Sequence, residues 1–131
     1  MGALALLSFL VLLLIPIRRF RASFAGKVGP NDFKYGESAS VPPDVSIPNR
    51  NYMNLLELPV LFYVICLIAL YTGQATELVV QLAWAYVVLR VLHSLVHLTY
   101  NNVIHRLTFF ALSNIAVILM WVVVYFPQGL G

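Results

Sequence analysis

A single apolar segment between residues 77 and 101 carries basic and polar side chains at regular intervals. They recur every three or four residues: Tyr86, Arg90, His93, His97 and Asn101. At about 100° per residue, this spacing places all five on one helical stripe about 80° wide. Because an arginine at the centre of a bilayer costs about 2.5–3.5 kcal/mol, such residues face a bundle interior or a cavity. The pattern therefore predicts a helix whose polar face is buried in a bundle, where its cations could hold an anion.

A second set of polar residues begins the preceding apolar segment. Arg50, Asn54 and Glu57 fall within about 60° of one another if this segment is a helix. Pro59 cannot donate a backbone hydrogen bond, which frees the carbonyl of Leu55 beside Glu57. We therefore expect an additional hydrogen-bond acceptor, and a kink, at this point.

The depth of these residues in the membrane predicts that the two sets meet. At about 1.5 Å per residue, one half of the membrane contains Glu57, Arg90, His93, His97 and Arg106. The cations Arg50, Arg90 and Arg106 outnumber the one acid, so this low-dielectric site suits an anionic ligand. The alternative is a purely structural ion pair between Glu57 and Arg90 that joins two helices, with the histidines hydrogen-bonded beside it.

Metal chemistry is less well supported by the same residues. His93 and His97 have the spacing of zinc ligands on one helical face, and Glu57 could be a third ligand. However, Arg90 lies one turn from His93 and would repel a cation, so we predict no metal site. The sequence has no Gly-rich phosphate loop, no nucleophile elbow and no paired catalytic carboxylates.

The composition defines the elements that must position these residues. The 131-residue chain is 61% hydrophobic and 10% charged, against about 25% charged in soluble domains, and its mean hydropathy is +0.88. These values exclude a soluble globule, a disordered chain and a nucleic-acid-binding module. Cys66 is the only cysteine, so no internal disulfide forms.

About 20 apolar residues cross a bilayer, and such segments occur at about 1–17, 51–72, 77–101 and 107–126. We expect one all-α membrane domain over 1–131, a four-helix bundle.

The charges predict how the four spans are oriented. Six of the eight lysines and arginines lie in the connection 18–50, which should be irregular because it contains four prolines and three glycines. By the positive-inside rule, this connection and the turn before Arg106 are cytoplasmic. The amino terminus, the turn at Gly73 and the tail 127–131 are then outside. The first span lacks a basic start, so we expect it to be retained rather than cleaved as a signal peptide.

Together, these features resemble the membrane-associated proteins in eicosanoid and glutathione metabolism, the MAPEG family. The first matching motif is Arg50-x-x-x-Asn54-x-x-Glu57, followed by Pro59. The second is Arg90-x-x-His93-x-x-x-His97, with Arg106 sixteen residues after Arg90. The resemblance covers nearly the whole chain, and the segment 57–63 is most similar to the short bacterial members.

The resemblance implies a homotrimer of four-helix bundles in which glutathione binds between subunits near the cytoplasmic side. It implies a glutathione transferase or peroxidase that acts on a lipophilic electrophile, here in a bacterial inner membrane. Glu57 would contact the glutathione amino group, Arg90 would contact its carboxylates or thiolate, and Arg106 would be the catalytic residue that stabilises the thiolate. The other positions implied to bind glutathione or support its site are Arg18, Asn54, His93 and His97.

Four positions depart from the pattern of characterised family members. His97 and Phe110 stand in place of tyrosines, Leu107 in place of a serine, and Met53 in place of a glutathione-binding arginine. The changes at Leu107 and Phe110 remove two hydroxyls that could donate to a thiolate. A second function therefore stays open: a non-catalytic membrane protein that binds a small anion or lipid headgroup, or serves as an accessory subunit of a larger complex.

Overall fold

The computed structural model describes residues 1–34 and 36–127, which form α-helices joined by short connections. The α-helices are α1 (Gly2–Phe24), α2 (Pro43–Leu56), α3 (Pro59–Tyr71), α4 (Glu77–Leu98) and α5 (Val103–Tyr125). In this part of the chain, four helical segments are long and apolar enough to cross a membrane: Gly2–Phe24, Pro43–Tyr71, Glu77–Leu98 and Val103–Tyr125. The predicted all-α bundle with four spans is confirmed. Of the tail 127–131, only Pro127 lies within the described residues.

The first connection is shorter than predicted, because helices occupy both of its ends. α1 continues past Arg18 to Phe24 and ends where Gly26 adopts a φ of 74°, a conformation that favours glycine. α2 begins at Pro43, whose fixed φ suits the first turn of a helix. The expected irregular structure is therefore wrong for 18–24 and 43–50. Among the described residues of 25–42 it holds, apart from a 3₁₀ helix at Pro30–Phe33. Arginine is a good helix former, so the basic residues after the first apolar run do not end the helix.

The ends of α1 and α2 form their own small cluster with the connection between them. Its buried residues are Ala22, Val28, Val41 and Val45, with Phe33 packed against them. The guanidinium of Arg19 lies 4.4 Å from the ring centroid of Phe33 and pairs with Glu37 at 3.3 Å. These contacts fasten the connection to the end of α1.

The second span is broken into α2 and α3. Glu57 has φ −85° and ψ −96°, which is not helical, and Pro59 opens α3. The proline ring would clash with the carbonyl four residues earlier and offers no N–H, so it ends α2. The expected kink is thus a complete interruption of the helix.

The main core lies between all five α-helices. Fully buried side chains come from α1 (Leu4 and Val11), α3 (Phe62 and Ile65) and α5 (Met120). Phe62 stacks on Tyr86 of α4 with 4.6 Å between ring centroids. Many large apolar side chains instead remain exposed, among them Phe9, Leu13, Leu67, Ile118 and Tyr71. An apolar exterior of this kind is what lipid requires, and the chain is a multi-pass integral membrane protein.

The last two helices form an antiparallel pair joined by a short turn at residues 99–102. This turn lies at the same end of the bundle as the connection 25–42, because each span reverses the direction of the previous one. We call this end the basic end, since every lysine and arginine except Arg90 lies in or beside these two connections. The candidate site lies there.

Candidate functional site

Arg90 is the largest fully buried side chain in the described structure, with 0% exposure. Its Nη2 donates to the backbone carbonyl of Asn54 at 2.9 Å. Asn54 lies in the last turn of α2, where carbonyls lack helical partners. The break before Pro59 therefore creates the acceptor that Arg90 uses, one residue earlier than the Leu55 carbonyl that we predicted. A cation at a helix carboxyl terminus is also favoured by the helix dipole.

Glu57 does not pair with Arg90. Both Glu57 and Arg50 are exposed, and within residues 1–34 and 36–127 the ion pair found is Arg19–Glu37. The expected common face of Arg50, Asn54 and Glu57 assumed one continuous helix, whereas the backbone leaves helical geometry at Glu57. The structural ion pair considered above is therefore not what buries Arg90.

The two histidines of α4 are both buried. The ring centroids of His93 and His97 are 6.0 Å apart, and His93 lies 6.0 Å from the ring of Phe110. Their Nδ1 atoms are buried and make no hydrogen bond within the described structure. In the same part of the chain no three His, Cys, Asp or Glu side chains are grouped to hold a metal ion.

Arg106 ends the first turn of α5 and lines a cavity of about 230 Å³. The other lining residues are Asn54, His93, Val103, Leu107 and Phe110. The Nη1 of Arg106 donates to Asn101 Oδ1 at 2.6 Å, while its Nε is buried without a hydrogen-bond partner among the described residues. Typical sites for drug-sized ligands occupy about 300–1,000 Å³, so this cavity has room for only part of such a ligand.

Several nitrogen atoms in or near the cavity wall share one property: they are buried and have no hydrogen-bond partner in the described structure. They are Arg90 Nε and Nη1, His93 Nδ1, His97 Nδ1, Arg106 Nε and Asn51 Nδ2. Leaving a buried polar group unsatisfied costs about 1–3 kcal/mol. A ligand, water or another protein chain can supply the missing partners of this polar cluster.

The structure brings together only part of the predicted site. Asn54, Arg90, His93 and Arg106 surround the cavity or contact its wall, and His97 packs beside His93. Arg18 is half-buried on α1 and, like Arg50 and Glu57, it does not line the cavity. The roles expected for these three residues stay predictions.

Sequence reasoning missed two contacts near the site. Asn51 is fully buried and accepts a hydrogen bond from Ser94 Oγ at 3.2 Å, across 43 residues of sequence. The ring of Phe110 lies 5.7 Å from the Arg90 guanidinium, within reach of a cation–π interaction. The only available signal was the helical register, since Ser94 lies four residues from Arg90.

Cys66 is remote from these groups. It lines an apolar cavity of about 380 Å³ together with Met1, Phe62 and Trp84. Residues from the start of α1 and the start of α4 share this cavity, so it lies at the opposite end of the bundle.

The fold and the polar cluster define a class: a multi-pass membrane bundle with an interior site of surplus positive charge. Comparison with known proteins gives the family. The MAPEG family model matches residues 1–126, so the chain belongs to the MAPEG family, whose members are membrane proteins of glutathione and eicosanoid metabolism. No curated protein and no solved structure matches the chain.

Proposed function

We propose that this protein binds glutathione at the polar cluster and conjugates it to a lipophilic electrophile, whose carbon bonds to the thiolate sulfur as its leaving group departs. The alternative reaction is reduction of a lipophilic peroxide, in which two glutathione molecules are oxidised to the disulfide. The observation that carries the proposal is the positive charge of Arg90 and Arg106 beside a cavity, with no carboxylate within ion-pair distance in the described structure. Burying an uncompensated guanidinium is costly. An anionic guest removes that penalty, and glutathione is the anion that family membership favours.

In this proposal, Arg106 activates the thiol. It lines the cavity and holds a fixed contact with a neutral side chain. A guanidinium close to a sulfur stabilises the thiolate, which is the nucleophile, more than the thiol. Arg90 and His93 would bind the carboxylates and other polar groups of the peptide.

The walls of the cavity provide a route for the second substrate. Val103 and Leu107 line the cavity, and each is more than 60% exposed on the outside of the bundle. An electrophile dissolved in lipid would therefore reach the thiolate laterally, without passing through water.

We also propose that the site is completed in a homotrimer. One chain leaves several buried donors unsatisfied and provides a cavity of about 230 Å³. Arg50 and Glu57 are exposed, as residues that serve a site shared with a neighbouring subunit would be. Crosslinking in detergent should trap trimers, and crosslinking that stops at monomer would contradict this arrangement. The charge pattern supports a cytoplasmic location for the basic end.

The test compares Arg106→Ala with the wild-type protein in detergent. Glutathione conjugation to a chromogenic chlorodinitrobenzene should fall by about 100-fold, the usual effect of removing one charge-stabilising group. Arg21→Ala is the matched control, because Arg21 is exposed on α1 and does not line the cavity. Unchanged turnover by Arg106→Ala would refute the mechanism.

One observation favours a second function. The cavity wall beside Arg106 is formed by Leu107 and Phe110, so no hydroxyl from these positions can donate to a thiolate. A non-catalytic anion-binding protein would also have such a site. For it, millimolar glutathione or another small anion raises the melting temperature of the wild type, yet no conjugation or peroxidase activity is found.

A further inference from the structure

We propose that Asn101 is a positioning residue, which fixes the guanidinium of Arg106 at the cavity while leaving its positive charge uncompensated. This inference rests on the proposed function, because it concerns how Arg106 is prepared to stabilise a thiolate. It assigns a role to the α4–α5 turn, which is otherwise only a connection between two spans.

The turn is built from two adjacent asparagines with different tasks. Asn101 has a φ of 49°, and its backbone N–H donates to the carbonyl of Val96 at 2.7 Å, which closes the carboxyl end of α4. Asn102 accepts hydrogen bonds from the N–H groups of Ile104 and His105 at 3.0 and 3.1 Å, which starts α5. Hydrogen bonds of Asn101 and Asn102 thus fix where α4 ends and where α5 begins.

The side chain of Asn101 is not needed for this path. Its Oδ1 instead accepts from Arg106 Nη1 at 2.6 Å, shorter than the usual 2.9–3.0 Å for N–H···O bonds. Short distances of this kind are typical of hydrogen bonds from a charged donor. The long arginine side chain has many rotamers, and this contact selects one of them at the edge of the cavity.

Two requirements meet at this position, and asparagine satisfies both. The left-handed backbone is tolerated by asparagine, aspartate and glycine. Glycine would keep the backbone but lose the contact with Arg106. Aspartate would keep the contact, but its negative charge would compensate the cation that an anionic ligand needs. The neutral amide is therefore the anchor that holds Arg106 and preserves its charge.

The experiment uses the full chain in detergent, with glutathione and a chromogenic chlorodinitrobenzene as substrates. Asn101→Gly should lower kcat/KM by roughly 10- to 100-fold, the range expected when a catalytic group is misplaced by about 1 Å. The pH profile of the reaction should move to higher pH, because a mobile Arg106 stabilises the thiolate less. Asn101→Asp should instead raise the KM for glutathione by about tenfold, or about 1.4 kcal/mol.

Asn102→Gly is the matched control, since it makes the same substitution in the same turn without touching the Arg106 side chain. It should lower the melting temperature slightly and leave kcat/KM unchanged, because glycine replaces an asparagine cap at a loss of a few tenths of a kcal/mol.

A turn-forming role for Asn101 predicts the opposite result. Glycine is the residue best suited to a positive φ, so Asn101→Gly would then be neutral or stabilising, with unchanged kinetics. That outcome, or an unchanged KM in Asn101→Asp, would overturn the inference while the effect of Arg106→Ala still supports the proposed function. A wild-type protein without glutathione binding or turnover would refute the proposed function and the inference together.

Discussion

Replacing Arg90 with methionine distinguishes a binding role of this arginine from a structural one. Methionine is long, flexible and uncharged, so it can occupy most of the buried space beside Phe110 without introducing a polar group. The variant removes the hydrogen bond from Arg90 Nη2 to the Asn54 carbonyl. It also removes a guanidinium that is completely buried.

The structure allows the size of the effect to be worked out for the protein without ligand. The lost hydrogen bond comes from a charged donor and contributes about 1.5–3 kcal/mol. In the opposite direction, Nε and Nη1 of Arg90 are buried without partners in the described structure, and each such group costs about 1–3 kcal/mol. Together the two unpaired groups cost about 2–6 kcal/mol, so their removal matches or exceeds the lost hydrogen bond, and the free energy of unfolding should fall by no more than about 1 kcal/mol.

The assay is unfolding in detergent with and without millimolar glutathione. Without glutathione, the free energy of unfolding of Arg90→Met should lie no more than about 1 kcal/mol below that of the wild type. The variant should lose the stabilisation that glutathione gives to the wild type. Arg21→Met, on the exposed side of α1, is the control and should keep that stabilisation. A destabilisation of about 3–5 kcal/mol without ligand, the loss expected when a buried structural pair is broken, would show that Arg90 mainly holds the helices together.

Three further results are expected. Pro59→Ala should let helical structure continue through Glu57, because alanine restores the backbone N–H and removes the clash with the carbonyl four residues earlier. Slower amide hydrogen exchange at residues 57–61 would show this, and unchanged exchange would contradict it. Hydrogen bonds from the Gly29 amide and the Ser38 and Ser40 hydroxyls hold the pKa of Asp32 below its usual value. These hydrogen bonds therefore order the connection fully above the unfolded pKa of about 3.9, and the effect is lost as the pH falls through the lower folded pKa. Protease cleavage within 25–42 should accordingly increase only at that acidic pH. In Asp32→Asn, cleavage should be increased already at neutral pH. Phe62→Ala should lower the free energy of unfolding by about 3–5 kcal/mol, because Phe62 is fully buried and stacks on Tyr86; a loss below about 1 kcal/mol would contradict this packing.

The four spans were predictable because bilayer thickness sets the length of apolar helix, whatever the packing. The polar face of α4 was predictable for a related reason: residues 77–98 form one uninterrupted helix, so its register can be read directly. Arg90, His93 and His97 accordingly lie buried on the same side.

The remaining differences arise where local geometry departs from a regular helix. The position of Glu57 could not be obtained from a helical register, because the backbone is not helical at this residue. The ends of α1 and α2 depend on packing among Ala22, Val41 and Val45, which hydropathy does not report. The contact between Asn101 and Arg106 depends on a left-handed residue in a turn, and neither residue alone indicates it.

The interruption at Glu57 divides the second span into two helices with different packing contacts. Its first half packs against the end of α1 through Val45 and reaches the main core through Leu55, whereas its second half is embedded in the main core through Phe62 and Ile65. The Asn54 carbonyl that Arg90 uses and the Phe62 ring that stacks on Tyr86 therefore belong to different halves of this span.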